Sequence, residues 1–208
     1  MQTEHLNHQA GPRGIHRVTV YAASSRALAP AYYQAATRVG EVLAEAGKTI
    51  VFGGGGAGLM GAMADGALSR GAQVYGIVPS FLQELELSHA GLTGLEIVAD
   101  MRTRKHRMLE ESDAVVTLPG GCGTYEEVFE ALTLKRLGLW LGPVVLVNTN
   151  GFYDRFLDFL EHSVRERFMG EAHARMWNVV REPEEVVEAL HGAQAWDRDA
   201  LSFANVGD

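Results

Sequence analysis

Two glycine-rich segments, each lying between a strand-like apolar run and a helical pattern, place the strongest constraint on what this chain can fold into. The first is FGGGGAGLMGAMADG at 52–66, and the second is LPGGCGTYEE at 118–127. Glycine is unusually frequent, at 24 of 208 residues, which is about 12% against a typical ~7%. Glycines at such a junction leave backbone N–H groups unshielded beside the positive end of a helix dipole, which suits an anion.

Strand-like and helical patterns alternate along the whole body of the chain. Strands are predicted at 15–22, 48–52, 72–78, 95–99, 113–119, 143–148 and 177–180, and helices at 30–46, 57–70, 101–112, 124–137, 152–168 and from Pro183 onward. The alternation and the continuously apolar strands predict an α/β fold, a single doubly wound Rossmann-like domain with a mainly parallel sheet. This domain is predicted over 15–192, with tails at 1–14 and 193–208.

Composition excludes several classes of protein. The formal net charge of −8 argues against a nucleic-acid partner, because nonspecific affinity for nucleic acid comes from basic surface. No apolar run reaches the ~18 residues that a membrane helix needs, and the first residues lack a secretory pattern, so a cytoplasmic protein is expected. The single cysteine and the absence of an HExxH motif predict no disulfide framework and no metal site.

The first glycine segment contains the dinucleotide pattern GxGxxG from Gly56 to Gly61. Two features count against a nicotinamide or flavin cofactor: the segment follows the second strand, and the next strand ends in Pro79-Ser80 without an acidic residue for the ribose. The glycines are equally compatible with close strand–helix packing and with direct contact to a nucleotide.

The second glycine segment lacks the lysine of a Walker loop but suits a phosphate. One alternative is purely structural: Thr124 could cap the following helix, with Glu127 completing a capping box. Between the two segments, residues 102–107 hold four cations in six positions. All three features follow predicted strands, and ligands of open parallel sheets bind beyond the carboxyl ends of the strands. They are therefore predicted to converge on one anionic ligand.

These motifs together resemble the LOG (Lonely Guy) family of cytokinin riboside 5′-monophosphate phosphoribohydrolases, which are often mislabelled as lysine decarboxylases. The family hallmark PGGxGTxxE is matched at every fixed position from Pro119 to Glu127, and MHxRK appears at 101–105 with Arg102 in place of the histidine. A GGGxxGLMG-like loop lies at 54–61, Ser24-Ser25 resembles the segment after the first strand, and the resemblance spans about 15–190.

The resemblance implies hydrolysis of the N-glycosidic bond of an N6-substituted adenosine 5′-monophosphate, without a cofactor or metal, by a homodimer with sites near the subunit interface. It implies Arg104 and Glu127 as catalytic residues, with Arg104 also contacting the substrate. It implies a phosphate site at Gly120, Gly121, Gly123 and Thr124, and further substrate contacts from Ser25, Gly54, Gly58, Met60, Glu86, Lys105, Glu126 and Thr133.

Other readings remain open at the level of the sequence. A lysine decarboxylase is disfavoured because none of the three lysines (48, 105 and 135) has the context of a pyridoxal Schiff base. Cys122 could be a nucleophile at a helix N-terminus, but no histidine partner is apparent. A molybdenum-cofactor carrier of the same superfamily is the main alternative, and Arg104 and Glu127 favour the enzyme. A nucleotide-sensing interaction protein is a third reading, with no positive feature.

Overall fold

A computed structural model describes residues 14–83, 88–197 and 199–200. Seven strands form one sheet: β1 (Arg17–Tyr21), β2 (Thr49–Phe52), β3 (Val74–Pro79), β4 (Gly94–Val98), β5 (Ala114–Thr117), β6 (Val144–Val147) and β7 (Asn178–Val180). Their order is β4-β3-β2-β1-β5-β6-β7, and every neighbouring pair is parallel. The predicted doubly wound sheet is therefore confirmed.

Helices cover both faces of this sheet. They are α1 (Pro30–Glu45), α2 (Gly58–Ser69), α3 (Ser80–Gln83), α4 (Met101–Glu110), α5 (Cys122–Arg136), α6 (Asp154–Arg165) and α7 (Val186–Gly192), with 3-10 turns at Thr149–Gly151, Glu171–Arg175 and Pro183–Glu185. The short α3 is absent from the sequence prediction, and the helix expected from Pro183 begins with one of the 3-10 turns.

The core is divided by the sheet into two layers, as alternate strand residues require. Val18 and Val20 of β1 belong to the cluster that α1, α2 and α7 cover, whereas Tyr21 belongs to the cluster under α4, α5 and α6. Helices α1 and α2 approach so closely at Gly40 that a Cβ there would collide with the carbonyl of Met63. This packing fixes α2, and hence the glycine segment that precedes it.

The strand order reverses at β1, because the chain continues on one side into β2 and on the other side returns as β5. Loops that leave neighbouring strands in opposite directions open a crevice at the carboxyl edge of such a sheet. Both glycine segments lie at this edge, directly after β2 and β5. The fold therefore positions a binding site between them.

The structure describes only part of the two predicted tails. Residues 1–13 lie outside the described residues, as do Arg198 and 201–208. Within the predicted C-terminal tail, Trp196 donates its indole N–H to the carbonyl oxygen of Lys135 at 2.7 Å, and Ala200 is buried. Part of that segment thus packs against α5. Over the described ranges, no helix has both the length and the apolar character to cross a membrane.

Candidate active site

A cavity of about 310 Å³ lies at the carboxyl ends of β1, β2 and β5. It is lined by Val20, Ala22, Ala23, Ser24, Ser25, Gly53, Met60, Leu82, Met101, Arg104, Gly121, Cys122, Gly123, Thr124 and Glu127. Ala23 ties the surrounding loops together: its N–H donates to Pro119 at 3.2 Å, and its carbonyl accepts from the N–H of Leu59 at 2.9 Å. The predicted convergence of the glycine segments and the basic segment is thus observed.

The second glycine segment forms the start of α5 and one wall of the cavity. Gly121 is the N-cap residue, and its carbonyl accepts the N–H of Tyr125 at 3.0 Å, so the helix begins at Cys122. The structural alternative, a cap at Thr124, is therefore wrong, because Thr124 already lies inside the first helical turn. The N–H groups of a first turn have no partner within their helix and remain available to an anion.

The glycines of this segment divide into two kinds. A Cβ at Gly120 would collide with the side chain of Thr124, so Gly120 is explained by packing. A Cβ at Gly121 or Gly123 would meet nothing within 4 Å, and neither residue has a positive φ. The fold itself does not require glycine at these two positions. Their bare backbone faces the cavity, which is what close approach of a ligand requires.

The first glycine segment serves mainly to pack the protein. Gly54 and Gly58 have φ values of +76° and +61°, and a Cβ on either residue would collide with neighbouring protein atoms. Neither lines the cavity, whereas Gly53 and Met60 do. At Gly53 a Cβ would collide with the guanidinium of Arg104. The packing alternative therefore accounts for Gly54 and Gly58, and this segment lets Arg104 reach the cavity.

Arg104 is brought to the cavity by helix α4. Asp100 caps this helix, its carboxylate accepting the N–H of Thr103 at 2.7 Å. The guanidinium of Arg104 contacts the carbonyl of Gly53 at 3.3 Å and the sulfur of Met101 at 3.6 Å. Its Nε is buried and, among the described residues, has no hydrogen-bond partner. A nine-tenths buried cation with a free donor is suited to an anionic ligand.

Glu127 lies on α5, one turn beyond Thr124, and is 7% exposed. One carboxylate oxygen lies 3.9 Å from Nη2 of Arg104. Burial raises the pKa of Glu127 from 4.5 to about 7, and the nearby charge of Arg104 opposes that increase. A carboxyl group that exchanges its proton near neutral pH is suited to general acid–base chemistry.

The predicted site residues do not all meet at the cavity. Ser25, Met60, Arg104, Gly121, Gly123, Thr124 and Glu127 line it. Lys105 and Glu126 lie beside it and form an ion pair at 2.7 Å, whereas Thr133 is exposed two turns further along α5. Arg102 is exposed in the first turn of α4 and does not line the cavity. Glu86 falls outside the described residues.

Several cavity residues were missed by the sequence prediction. Met101 opens the basic motif and could have been found from its position beside Arg104. Leu82 lies on α3, a helix of four residues with no periodic signal. Ala22 and Ala23 carry no chemical group that would single them out. Together with Met60, Leu82 and Met101 provide apolar surface opposite the polar start of α5.

Among the described residues, neither a lysine nor a histidine lines the cavity. Lys48 and Lys135 bind backbone carbonyls of Ile15 and Gly142, at 2.8 and 2.6 Å. No lysine is therefore placed for a Schiff base in this cavity. Cys122 lines the cavity and is exposed, but no histidine stands beside it in the cavity lining as far as the structure describes the chain. Within the described ranges, no group of three or more potential ligand residues could hold a metal ion.

Comparison with known sequences connects this geometry to a family. The family model described as possible lysine decarboxylase matches residues 60–190. A cytokinin riboside 5′-monophosphate phosphoribohydrolase from Rhodococcoides fascians is 40% identical over 174 residues, covering 83% of this chain and 88% of the relative. A protein with the same name from Arabidopsis thaliana is 35% identical, covering 84% and 80%.

Solved structures show a similar fold at lower sequence identity. The molybdenum cofactor carrier protein from Chlamydomonas reinhardtii is 20% identical, with a TM-score of 0.66 over 86% of this chain and 97% of the carrier. The molybdenum cofactor binding protein from Rippkaea orientalis is 19% identical, with a TM-score of 0.65 over 88% and 98%. At these identities the likeness concerns the fold alone.

Proposed function

The chain belongs to the family of cytokinin riboside 5′-monophosphate phosphoribohydrolases, and from that premise we propose that it hydrolyses the N-glycosidic bond of an adenosine 5′-monophosphate. The products are the free base, adenine or an N6-substituted adenine, and ribose 5-phosphate. The substrate is a small molecule, and the net charge of −8 argues against a nucleic-acid partner.

One observation carries this proposal: a buried carboxylate and the open backbone of a helix start line the same cavity. We assign the open backbone of Gly121 and Gly123 as the phosphate cradle at the start of α5, and Glu127 lies one turn along that helix. One helical turn is roughly 5 Å. The ribose ring separates the 5′-phosphate from the glycosidic bond by a similar distance. A phosphate held at the cradle therefore directs the bond to be broken toward Glu127.

The chemistry proposed for the site needs only groups that the cavity holds. As the bond between C1′ and the base nitrogen breaks, its electron pair leaves with the base and positive charge develops on the ribose. The ionised carboxylate of Glu127 stabilises that charge and accepts a proton from the attacking water. The water supplies the hydroxyl at C1′, and the proton that Glu127 accepted passes on to the base nitrogen, which restores the carboxylate. Arg104 orients Glu127 and the substrate.

The carrier alternative makes a weaker account of the same residues. A carrier needs a phosphate cradle, but it has no need of a buried carboxylate with a pKa near 7 beside it. Burying Glu127 in this way is costly for the folded protein, and such costs are typical of catalytic sites. The paired arrangement of Arg104 and Glu127 thus favours turnover over storage.

We further propose that the protein acts as a homodimer in the cytoplasm. Phe129 of α5 and Phe159 of α6 are 40% and 58% exposed, and the ring of Phe156, also on α6, lies 5.5 Å from the ring of Phe129. This aromatic surface continues the exposed face of α5 that holds Thr133. In a dimer formed through this surface, Thr133 of one chain contacts the substrate in the cavity of the other chain. The exposed thiol of Cys122 fits a reducing compartment.

The experiment is incubation of the protein with AMP and with N6-substituted AMP, followed by detection of free base and ribose 5-phosphate. Catalytic release of both products supports the enzyme. Stoichiometric binding of the nucleotide without release of base would support a carrier instead.

A further inference from the structure

Arg104 and Glu127 face each other across the cavity without a strong bond between them. Their closest atoms are 3.9 Å apart. Among the described residues, no hydrogen bond holds the carboxylate of Glu127, and Arg104 makes only the two long contacts to Gly53 and Met101. The spacing of the pair therefore depends on how α4 and α5 are held relative to each other.

The next residue on α4 provides a direct link between these two helices. Nζ of Lys105 lies 2.7 Å from a carboxylate oxygen of Glu126 and 2.6 Å from one of Glu130, both on α5. The side chain of Lys105 is 14% exposed, that of Glu130 is 27% exposed and that of Glu126 is 56% exposed. The pair with Glu130 is therefore less weakened by water and salt than a pair at an open surface, whereas the pair with Glu126 is more exposed to both. Lys105, which directly follows Arg104 on α4, is thus bound to two carboxylates of α5 that lie close to Glu127 in the sequence.

We propose that Lys105, held between Glu126 and Glu130, is a positioning residue that sets the Arg104–Glu127 pair for catalysis. Glu130, which the family motif does not include, is part of this clamp, defined as Lys105, Glu126 and Glu130. The proposal rests on the proposed function and assigns Lys105 and Glu126 a role other than contact with the substrate.

The clamp also acts on Glu127 through charge. Burial is the main influence on the pKa of Glu127; Lys105 and Arg104 on α4 lower it, and Glu126 and Glu130 on α5 raise it. Among the described residues, the hydroxyl of Tyr21 on β1 also interacts with Glu127, and burial keeps the pKa of Tyr21 well above the ordinary value; the thiol of Cys122 on α5 lines the same cavity. Removing the cation and removing an anion of the clamp must therefore move the pKa of Glu127 in opposite directions.

Two substitutions use this opposition. Lys105→Met keeps the length of the side chain without its charge, so the pKa of Glu127 should rise and the acidic limb of kcat should move to higher pH. Glu130→Gln keeps the shape of the side chain and leaves Lys105 paired with Glu126, so the acidic limb should move to lower pH. If the substitutions only loosened the structure, the acidic limbs of the two variants would move in the same direction or would not move.

The matched control is Arg107→Met. Arg107 lies on the same helix and pairs with Glu96, Glu110 and Glu111, but none of these carboxylates is on α5. The Arg107→Met variant loses three ion pairs, against two in Lys105→Met, and should not shift the pH profile of kcat. Lys105→Arg, which keeps the charge, should restore kcat to within about threefold of the original protein.

The experiment measures kcat and KM for AMP from pH 5 to 9, together with NMR titration of the Glu127 carboxyl carbon without substrate. The proposal expects Lys105→Met to lower kcat about tenfold with KM within threefold, and opposite shifts of the Glu127 titration in Lys105→Met and Glu130→Gln. A large increase in KM with unchanged kcat would make Lys105 a substrate contact and overturn the proposal, as would equal or absent shifts. The titration is read even if the unmodified protein releases no base, so failure of the clamp is distinguishable from failure of the proposed function.

Discussion

Nη2 of Arg104 lies 3.9 Å from Oε1 of Glu127, and both side chains are about nine-tenths buried. Burial raises the pKa of Glu127 and the positive charge of Arg104 lowers it. The effect of burial is larger, so the pKa is about 7 rather than 4.5. An arginine in direct contact would hold the carboxylate ionised far below neutral pH. The gap between the two groups therefore leaves Glu127 able to exchange its proton at working pH.

Glu127 should make a contribution to stability that depends on pH. The folded protein binds the Glu127 proton more tightly than the unfolded chain does, so folding loses stability as pH rises from 4.5 to about 7. The loss is about 3 kcal/mol at most. Because a glutamine side chain cannot ionise, the Glu127→Gln variant should melt at a higher temperature than the original protein at pH 8. The difference should nearly vanish at pH 4.5, and a difference independent of pH would contradict the account.

Arg104→Ala should lower kcat by roughly 10²–10³, because a preorganised charge beside the reacting centre is lost. The same change removes the cation that lowers the pKa of Glu127. The acidic limb of kcat should therefore move to higher pH. Initial rates across the pH range test both effects.

Arg102→Ala provides the control for this measurement, because Arg102 lies two residues earlier on α4 but is exposed and outside the cavity. It should keep kcat within about threefold of the original protein. If Arg104→Ala keeps kcat as high as this control does, Arg104 is not a catalytic residue.

Gly123→Ala should separate binding from folding. The position has open space for a Cβ and lies within a helix, where alanine is favoured over glycine by about 1 kcal/mol. The melting temperature should therefore stay unchanged or rise. The added methyl group blocks close approach of the phosphate, so KM for AMP should increase at least tenfold.

Gly120→Ala is the contrasting variant of the same segment. Its Cβ would collide with the side chain of Thr124, so it should lower the melting temperature by several degrees. Normal KM in a stable Gly123→Ala variant would show that the phosphate does not lie at this helix start.

The aromatic surface of Phe129 and Phe159 should hold two chains together. Light scattering at micromolar concentration should give about twice the chain mass of 22.6 kDa. Phe129→Glu should reduce this to the monomer mass, because a charge is buried against an apolar partner surface. Leu95→Glu is the control, since Leu95 is equally exposed, at 41%, but lies on the edge strand β4. A monomer mass for the unmodified protein would contradict the homodimer.

Strands and helices were predictable because their patterns are local. The apolar runs of β1 and β5 and the proline that opens α1 give boundaries within about two residues of those observed. The start of α5 was predicted two residues too late, because threonine and glycine are about equally favoured as caps and this segment holds both. Here the carbonyl of Gly121 already accepts the first helical bond, from Tyr125.

The site was predictable only where a motif marks it. Arg104, Glu127 and the second glycine segment were found in this way. Glu130 was not, because an acidic residue on a helix surface carries no signal until the opposing helix places Lys105 against it. The two kinds of glycine in the second segment also look alike in sequence. Only the space around each Cα separates Gly120 from Gly123.

The most direct test of the account is the turnover of Glu127→Gln, which removes the charge of the carboxylate and keeps its size. Release of free base from AMP and from N6-substituted AMP should show kcat lowered by ~10²–10⁴, the usual range for an acid–base group. KM should change far less, because the phosphate cradle is intact. Glu161→Gln on α6, an exposed carboxylate remote from the cavity, should turn over normally. A Glu127→Gln variant that releases base at the normal rate would contradict the catalytic role of Glu127.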